Sequence, residues 1–337
     1  KHSVQAELSA RTRLFRSCNN KGVGLVAMSR PLTYATESGA AIRVFYSVTL
    51  TTEPMGTLAA LGRACLDLTR PGNAVSAGLL TFTGAFVAGG VTDAPVAVAA
   101  AVVATITATG GGNAINDYFD REIDAINRPD RPIPRGDITA RGALWYSLAL
   151  FAAATAAALT LPPAAIAIAV FNFLALVAYT ELFKGLPGVG NALVGYLTGS
   201  TFLFGGAAVG DPLGAVVLFG LAAVATLTRE IVKDIEDIDG DRQEGLRTLP
   251  IVLGERTALL IGGAAMGLAV VASGWPYVDG EFGAVYLAVV IPADLVMLAA
   301  TVRARTDPAA GQRWLKRGML LAAVAFVAGR ATVVIGG

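Results

Sequence analysis

Pro95-Val-Ala-Val-Ala-Ala-Ala-Val-Val-Ala-Thr-Ile-Thr-Ala-Thr-Gly-Gly-Gly-Asn113-Ala-Ile-Asn116-Asp117-Tyr-Phe-Asp120-Arg-Glu-Ile-Asp124 runs from membrane-grade hydrophobicity straight into a dense acidic cluster. A second run ends the same way, at Lys233-Asp234-Ile-Glu-Asp237-Ile-Asp-Gly-Asp241. Carboxylates beside lipid-facing sequence are costly, so each cluster needs a partner. Mg2+ suits them, as a hard cation that takes a few carboxylates and fills its other positions with phosphate oxygens and water. A polyphosphate substrate handled at a membrane face is the first expectation.

The rest of the chain has the same apolar character. Of its 337 residues 54% are hydrophobic and 15% charged, against about 25% charged in soluble domains. Nine apolar stretches stand at 73–92, 95–112, 143–161, 163–183, 188–209, 213–228, 257–275, 283–302 and 318–336. Each is near the ~20 residues that cross a bilayer as a helix. The expected fold is therefore all-α: a polytopic membrane protein with nine transmembrane helices in a single bundle. The 39 glycines follow no G-X-Y period, and small residues of this kind let membrane helices approach closely.

Other classes fall away. Cys18 and Cys65 are too few and too distant for a disulfide framework, and His2, the only histidine, lies outside the apolar body. Basic residues sit in short loops without interleaved aromatics, so no nucleic-acid partner is expected. Nothing points to an obligate protein partner. Residues 1–54 differ from the apolar body, with seven Lys/Arg against three Asp/Glu. They read as a basic tail for anionic lipid or as an N-terminal extension, disordered or foreign to the domain. The domain boundaries expected are 1–57 for the extension and 58–337 for the body.

Lysine and arginine concentrate after the even-numbered stretches. Arg121, Arg128, Arg131, Arg135 and Arg141 follow the second; Arg229, Lys233, Arg242, Arg247 and Arg256 follow the sixth; Arg303, Arg305, Arg313, Lys316 and Arg317 follow the eighth. Lys184 follows the fourth. The odd-numbered loops carry none, and the positive-inside rule then turns both acidic clusters to the cytoplasm. The second and sixth stretches run in one direction, four apart. Each is followed by a basic, proline-bearing segment, Asn127-Arg-Pro-Asp-Arg-Pro-Ile-Pro-Arg-Gly136 and Arg247-Thr-Leu-Pro-Ile251. A parallel repeat of two halves is expected, with the active site between them.

At 100° per residue, Asn116, Asp120 and Asp124 share a helix face, and so do Asp234, Asp237 and Asp241. Asp117 projects near Asp124. Glu236 and Asp239 point away and read as solvated, and Gly240 is a possible helix break. Two such stripes can hold two or three Mg2+ ions on a diphosphate. Arg128, Arg131, Lys184 and Arg247 can fork onto phosphate oxygens; positive-inside anchoring is the competing reading for each.

With both motifs in view, the chain resembles the UbiA-type intramembrane prenyltransferases. Asn116, Asp117, Asp120 and Asp124 match that family's NDxxDxxxD motif, and Asp234, Asp237 and Asp241 its second acidic motif. The resemblance covers 58–336. Within the family, Leu68-Thr-Arg-Pro-Gly-Asn73, the two acidic segments and Asn127-Arg-Pro-Asp-Arg-Pro-Ile-Pro134 are most similar to the archaeal digeranylgeranylglyceryl phosphate synthase group. That resemblance implies Mg2+-assisted transfer of a geranylgeranyl group from geranylgeranyl diphosphate to the hydroxyl of geranylgeranylglyceryl phosphate. Asp120, Asp124, Asp237 and Asp241 would then be catalytic. Arg70 and Asn73 would hold the acceptor's phosphate or serve as anchor and cap, and Tyr179, like Tyr118, would line the site or anchor at the interface. A quinone-precursor ring, porphyrin or chlorophyllide acceptor is the alternative within the family. A cation transporter is the alternative outside it.

Overall fold

The computed structural model describes residues 58–178, 183, 186–243 and 245–336, and the backbone of two short strands. The strands, Leu32–Ala35 and Ala41–Val44, pair antiparallel, with Leu32 opposite Val44. Contacts divide the chain after Thr57. The expectation of disorder before residue 58 otherwise concerns residues outside those described.

From Leu58 onward the body is helical, as expected. It opens with a helix the hydropathy pattern does not announce, α1 (Leu58–Thr69). Then come α2 (Pro71–Ala88) and α3 (Pro95–Phe119), each with proline in its first turn, where the missing N–H costs nothing. Short helices α4 (Arg121–Asn127) and α5 (Pro132–Arg135) lead to α6 (Ala140–Ala158), α7 (Pro163–Ala178) and α8 (Val189–Ala208). A 3-10 turn at Leu213–Ala215 starts α9 (Val216–Glu236), followed by short α10 (Ile238–Gln243) and α11 (Leu249–Leu253). The chain closes with α12 (Glu255–Ala272), α13 (Trp275–Val278), α14 (Ala284–Arg303) and α15 (Pro308–Gly336).

All nine apolar stretches fall on helices, with shifted ends. The helix of the second stretch continues through the polar residues to Phe119. The last begins at Pro308, so Arg313, Lys316 and Arg317 belong to α15 and not to a loop. Among the described residues, five segments are long and apolar enough to cross a membrane: Pro95–Phe119, Leu213–Glu236, Glu255–Val278, Ala284–Arg303 and Pro308–Ile335.

Burial is distributed as lipid requires. Ala101, Ala104, Ala165, Ala207 and Ala300 are buried, whereas Trp145, Phe171, Phe173, Leu174, Leu268 and Val271 face outward. Without a hydrophobic drive between helices, close packing of small residues has to hold them together. Helix α8 packs on α2, α3, α7 and α9, while α15 packs on α14, α9 and α2 and so closes the bundle. At the α2–α8 crossing a Cβ on Gly84 would lie 2.0 Å from the Phe202 carbonyl oxygen, and one on Gly205 2.0 Å from that of Thr81. Only glycine fits at either position. Polar groups add links: Thr228 Oγ1 donates to the Gly262 carbonyl at 3.0 Å, Ser273 and Asp294 are joined at 2.6 Å, and Tyr286 donates to the Ser273 carbonyl at 2.7 Å.

Candidate active site

Both acidic motifs are built on one local plan. The long helix α3 stops at Phe119, Asp120 takes φ −83° and ψ 2°, and α4 resumes at Arg121. Helix α9 stops at Glu236, Asp237 takes φ −92° and ψ 5°, and α10 resumes at Ile238. Hydrogen bonds of i to i−4 type bracket each break: Asp120 N to Asn116 O and Asp124 N to Asp120 O, both 2.8 Å; Asp237 N to Lys233 O and Asp241 N to Asp237 O, both 2.9 Å. Helical phase therefore survives, although the backbone relaxes at the central aspartate. A short proline-bearing helix follows each motif, α5 after the first and α11 after the second. The expected break at Gly240 does not occur: Gly240 lies inside α10, and the interruption comes three residues earlier.

The breaks sort the side chains by exposure. Asp117 and Asp124 are 3% and 6% exposed, whereas Asn116, Asp120 and Asp237 are exposed and Asp234 and Asp241 half-buried. The expected stripe Asn116–Asp120–Asp124 is thus split, with Asp124 turned inward beside Asp117. Among the described residues, the side chains of Asp120 and Asp237 have no hydrogen-bond or ion-pair partner.

Two arginines meet the buried pair. Arg70 Nη2 donates to Asp117 Oδ1 at 2.6 Å, and Arg131 Nη1 donates to the same oxygen at 2.9 Å and to Asp124 Oδ2 at 2.6 Å. Arg70, at the N-terminus of α2, makes no side-chain cap there. Arg128 and Arg247 are exposed beside the two motifs, and Asn73 is exposed on the first turn of α2. Tyr179 and Lys184 lie outside the described residues. Arg135 secures the loop after α4, donating to Asp137 at 2.6 Å and to Asp67 of α1 at 3.1 Å. These bonds, the Asp137 one foremost, raise its already high pKa.

Two positions escaped sequence reasoning. Asn191, on the first turn of α8, donates to Asp234 Oδ2 at 2.7 Å. Its only signal is an isolated amide in a run of glycines. Glu236 is exposed, as expected, but it also accepts from Gln312 of α15 at 2.5 Å, a contact that ties the second motif to the last helix and that no sequence signal marks. Asp239 is exposed, with Arg242 3.9 Å away, as expected.

The donor set consists of hard carboxylate and amide oxygens, with no histidine or cysteine. Among the described residues no three His, Cys, Asp or Glu side chains stand together as a ready-made metal cage. Mg2+ needs no such cage, because it is held by one or two carboxylates together with substrate phosphates and water. Asp120 and Asp237, exposed and unpaired among the described residues, fit a metal that arrives with a diphosphate.

A model of the UbiA prenyltransferase family matches residues 77–327. The digeranylgeranylglyceryl phosphate synthase of Natronomonas pharaonis is 66% identical over 273 residues, 81% of this chain and 98% of that protein. That of Halobacterium salinarum is 58% identical over 269 residues, 80% of this chain and 98% of that protein. A solved structure from work on digeranylgeranylglyceryl phosphate synthase in membranes superposes with a TM-score of 0.72 at 32% identity, covering 80% of this chain and 98% of the other. A UbiA homolog from Archaeoglobus fulgidus, solved with GPP and Mg2+, has a TM-score of 0.60 at 21% identity over 80% of this chain and 99% of that one, and shares the fold.

Proposed function

The chain belongs to the UbiA prenyltransferase family, and we propose from that premise that it transfers a geranylgeranyl group from geranylgeranyl diphosphate to the hydroxyl of geranylgeranylglyceryl phosphate. The observation that carries the acceptor is the 66% identity to an enzyme of that name across nearly its whole length. The two matched helix breaks, each exposing an unpaired aspartate, support the chemistry. The same matching supports a parallel repeat of two halves within nine membrane helices, residues 58–337 being the catalytic unit. The distribution of basic residues turns this end of the bundle to the cytoplasm.

Asp120 and Asp237, with Asn116, Asp124, Asp234 and Asp241 around them, would hold Mg2+, which would supply positive charge for the departing diphosphate. Arg128, Arg131, Arg247 and Lys184 add N–H donors to the phosphate oxygens and stabilise the departing diphosphate in a water-poor setting. The allylic C–O bond breaks with its electron pair on diphosphate. The acceptor oxygen then bonds to the allylic carbon, giving the ether, diphosphate and a proton. Helix walls keep water from that carbon. Arg70, Asn73 and Tyr179 are assigned to the acceptor, Arg70 to its phosphate.

The test is purified protein with geranylgeranyl diphosphate and Mg2+, offered geranylgeranylglyceryl phosphate, its dephosphorylated alcohol or 4-hydroxybenzoate, with products read by mass spectrometry. Only the phosphorylated lipid should be alkylated, since an apolar chain alone orients a hydroxyl poorly. Fixed orientation can contribute roughly 7–11 kcal/mol of barrier reduction in favourable cases. Prenylation of 4-hydroxybenzoate with none of the lipid phosphate would move the chain to the aromatic branch of the family.

A further inference from the structure

We propose that Asp117 is a positioning residue and not a metal ligand: a buried bracket that holds Arg70 and Arg131 so that their remaining N–H groups serve the phosphates of the two substrates. The inference rests on the reading of the site as a prenyl diphosphate and lipid phosphate centre.

Four observations converge on it. Asp117 is 3% exposed, and one of its oxygens, Oδ1, already accepts from both guanidinium groups, at 2.6 and 2.9 Å. A metal at that oxygen would have to displace two cations; among the described residues Arg70 has no other side-chain acceptor, and Arg131 has only Asp124 besides. The guanidinium groups themselves are not used up. Arg70 spends one of its five N–H groups on Asp117, and its side chain stays 40% exposed; that of Arg131 is 17% exposed.

The third observation is the backbone of Arg70. Among the described residues it is the one non-glycine with positive φ, at +48° with ψ 69°. L side chains rarely adopt that conformation, and a following proline, here Pro71, narrows the choice further. Such an outlier persists only where surrounding structure over-determines it, and it points to function.

The fourth is the way α3 over-determines it. Gly110, Asn113 and Asp117 lie on one stripe of that helix. Gly110 lets Thr69 approach, a Cβ there meeting the Thr69 side chain at 3.2 Å. Asn113 donates to the Thr69 carbonyl at 2.9 Å, and Asp117 takes the Arg70 guanidinium one turn later. Backbone and side chain of the strained corner are thus both pinned by α3. Arg131 is pinned from the other side, across Asp117 and Asp124. By contrast, Asp120 is exposed and has no partner among the described residues, so the two aspartates of one motif have different work.

The experiment measures equilibrium binding of geranylgeranyl thiolodiphosphate, an unreactive analogue, while Mg2+ is titrated. Asp117→Asn keeps the shape and removes the charge. Charge-assisted hydrogen bonds are about twice as strong as neutral ones, so analogue affinity at saturating Mg2+ should fall on the order of tenfold. The Mg2+ concentration for half-maximal binding should stay where it is, whereas Asp120→Asn should raise it. In turnover, Asp117→Asn should raise KM for both substrates more than it lowers kcat. Arg70→Gln, which leaves both Asp117 and Asp124 in place and removes a partner of Asp117 alone, gives a second reading independent of how Asp117→Asn folds. As a metal ligand relieved of a competing cation Asp117 would then lower the Mg2+ requirement; as a bracket it should leave that requirement unmoved while the KM for the lipid phosphate rises. An Mg2+ requirement shifted by Asp117→Asn as by Asp120→Asn, or lowered by Arg70→Gln, overturns the inference alone. Failure of the unaltered protein to bind the analogue at any Mg2+ concentration overturns the reading of the site and the inference with it.

Discussion

Asp120 and Asp237 hold the same station in two different helices: each follows a long helix, takes nearly the same dihedral angles, and precedes a short helix. A backbone near ψ 0° is sparsely populated and common at active sites. Here it keeps the i to i−4 bonds on both sides while turning one carboxylate per motif outward. Equivalent stations imply equivalent work, and that is what a diphosphate clamped from two sides would require.

Asp120→Asn and Asp237→Asn should therefore fail alike. Each should fold normally, since neither side chain has a partner to lose among the described residues, yet turnover should drop by roughly 10³-fold or more, as when a principal electrostatic stabiliser is removed. Excess chelator should do the same to the unaltered protein. Asp239→Asn, exposed with only Arg242 at 3.9 Å, should cost less than about twofold, because such surface pairs contribute little. The check is initial rate per folded molecule in detergent. Equal sensitivity at Asp239 and Asp237 would break the assignment of faces in the second motif.

A protein shortened to begin at Met55 should keep its turnover per folded molecule. The family match starts at residue 77, and α1 at Leu58. Loss of most activity on shortening would mean that residues before Met55 contribute to the site or to its membrane setting.

Asn191 is expected to matter through Asp234. Its Nδ2–H donates to that carboxylate at 2.7 Å from the start of α8. Hydrogen bonds to charged groups contribute about 1.5–3 kcal/mol, so Asn191→Ala should cost stability of that order or raise the Mg2+ requirement as Asp234 is released. Asn191→Asp should be worse, setting one carboxylate against another. Thermal unfolding and Mg2+ titration of both variants decide this, and unchanged values in both would remove Asn191 from the site.

Local forces made part of the molecule legible in the sequence. Lipid demands apolar runs of a certain length, so every stretch marked by hydropathy falls on a helix among the described residues. Helical phase is also local, and it survives both motifs. The break at Asp120 was not legible, because no glycine or proline marks it; Gly240, which looked like a breaker, sits quietly inside α10. Helix α1 was missed because Arg63 and Asp67 interrupt its apolar residues. Least legible were the partners of the charges. Arg70 and Asp117 are 47 residues apart, and only the packing of α1 and α2 on α3 brings them together. Arg70 and Arg131 carried no sign that their first partners would be carboxylates.

The α2–α8 crossing offers the sharpest test of the packing. Gly84 and Gly205 each face a carbonyl oxygen of the opposite helix, at 2.0 Å from where a Cβ would stand. No real Cβ tolerates that distance, and the obstacle is backbone, which cannot rotate away. Gly205→Ala must push α8 off α2. Overpacking of a tight core typically costs about 1–3 kcal/mol, occasionally more, and here the helix that moves also carries Asn191 against Asp234. Gly205→Ala should thus lower the unfolding temperature and weaken Mg2+-dependent turnover together. Gly267→Ala is the matched control, since a Cβ there meets nothing within 4 Å. Replacing glycine inside α12 should leave stability equal or improved by up to about 1 kcal/mol through helix propensity. A Gly205→Ala protein as stable as Gly267→Ala would show that α2 and α8 do not cross as closely as Gly84 and Gly205 require.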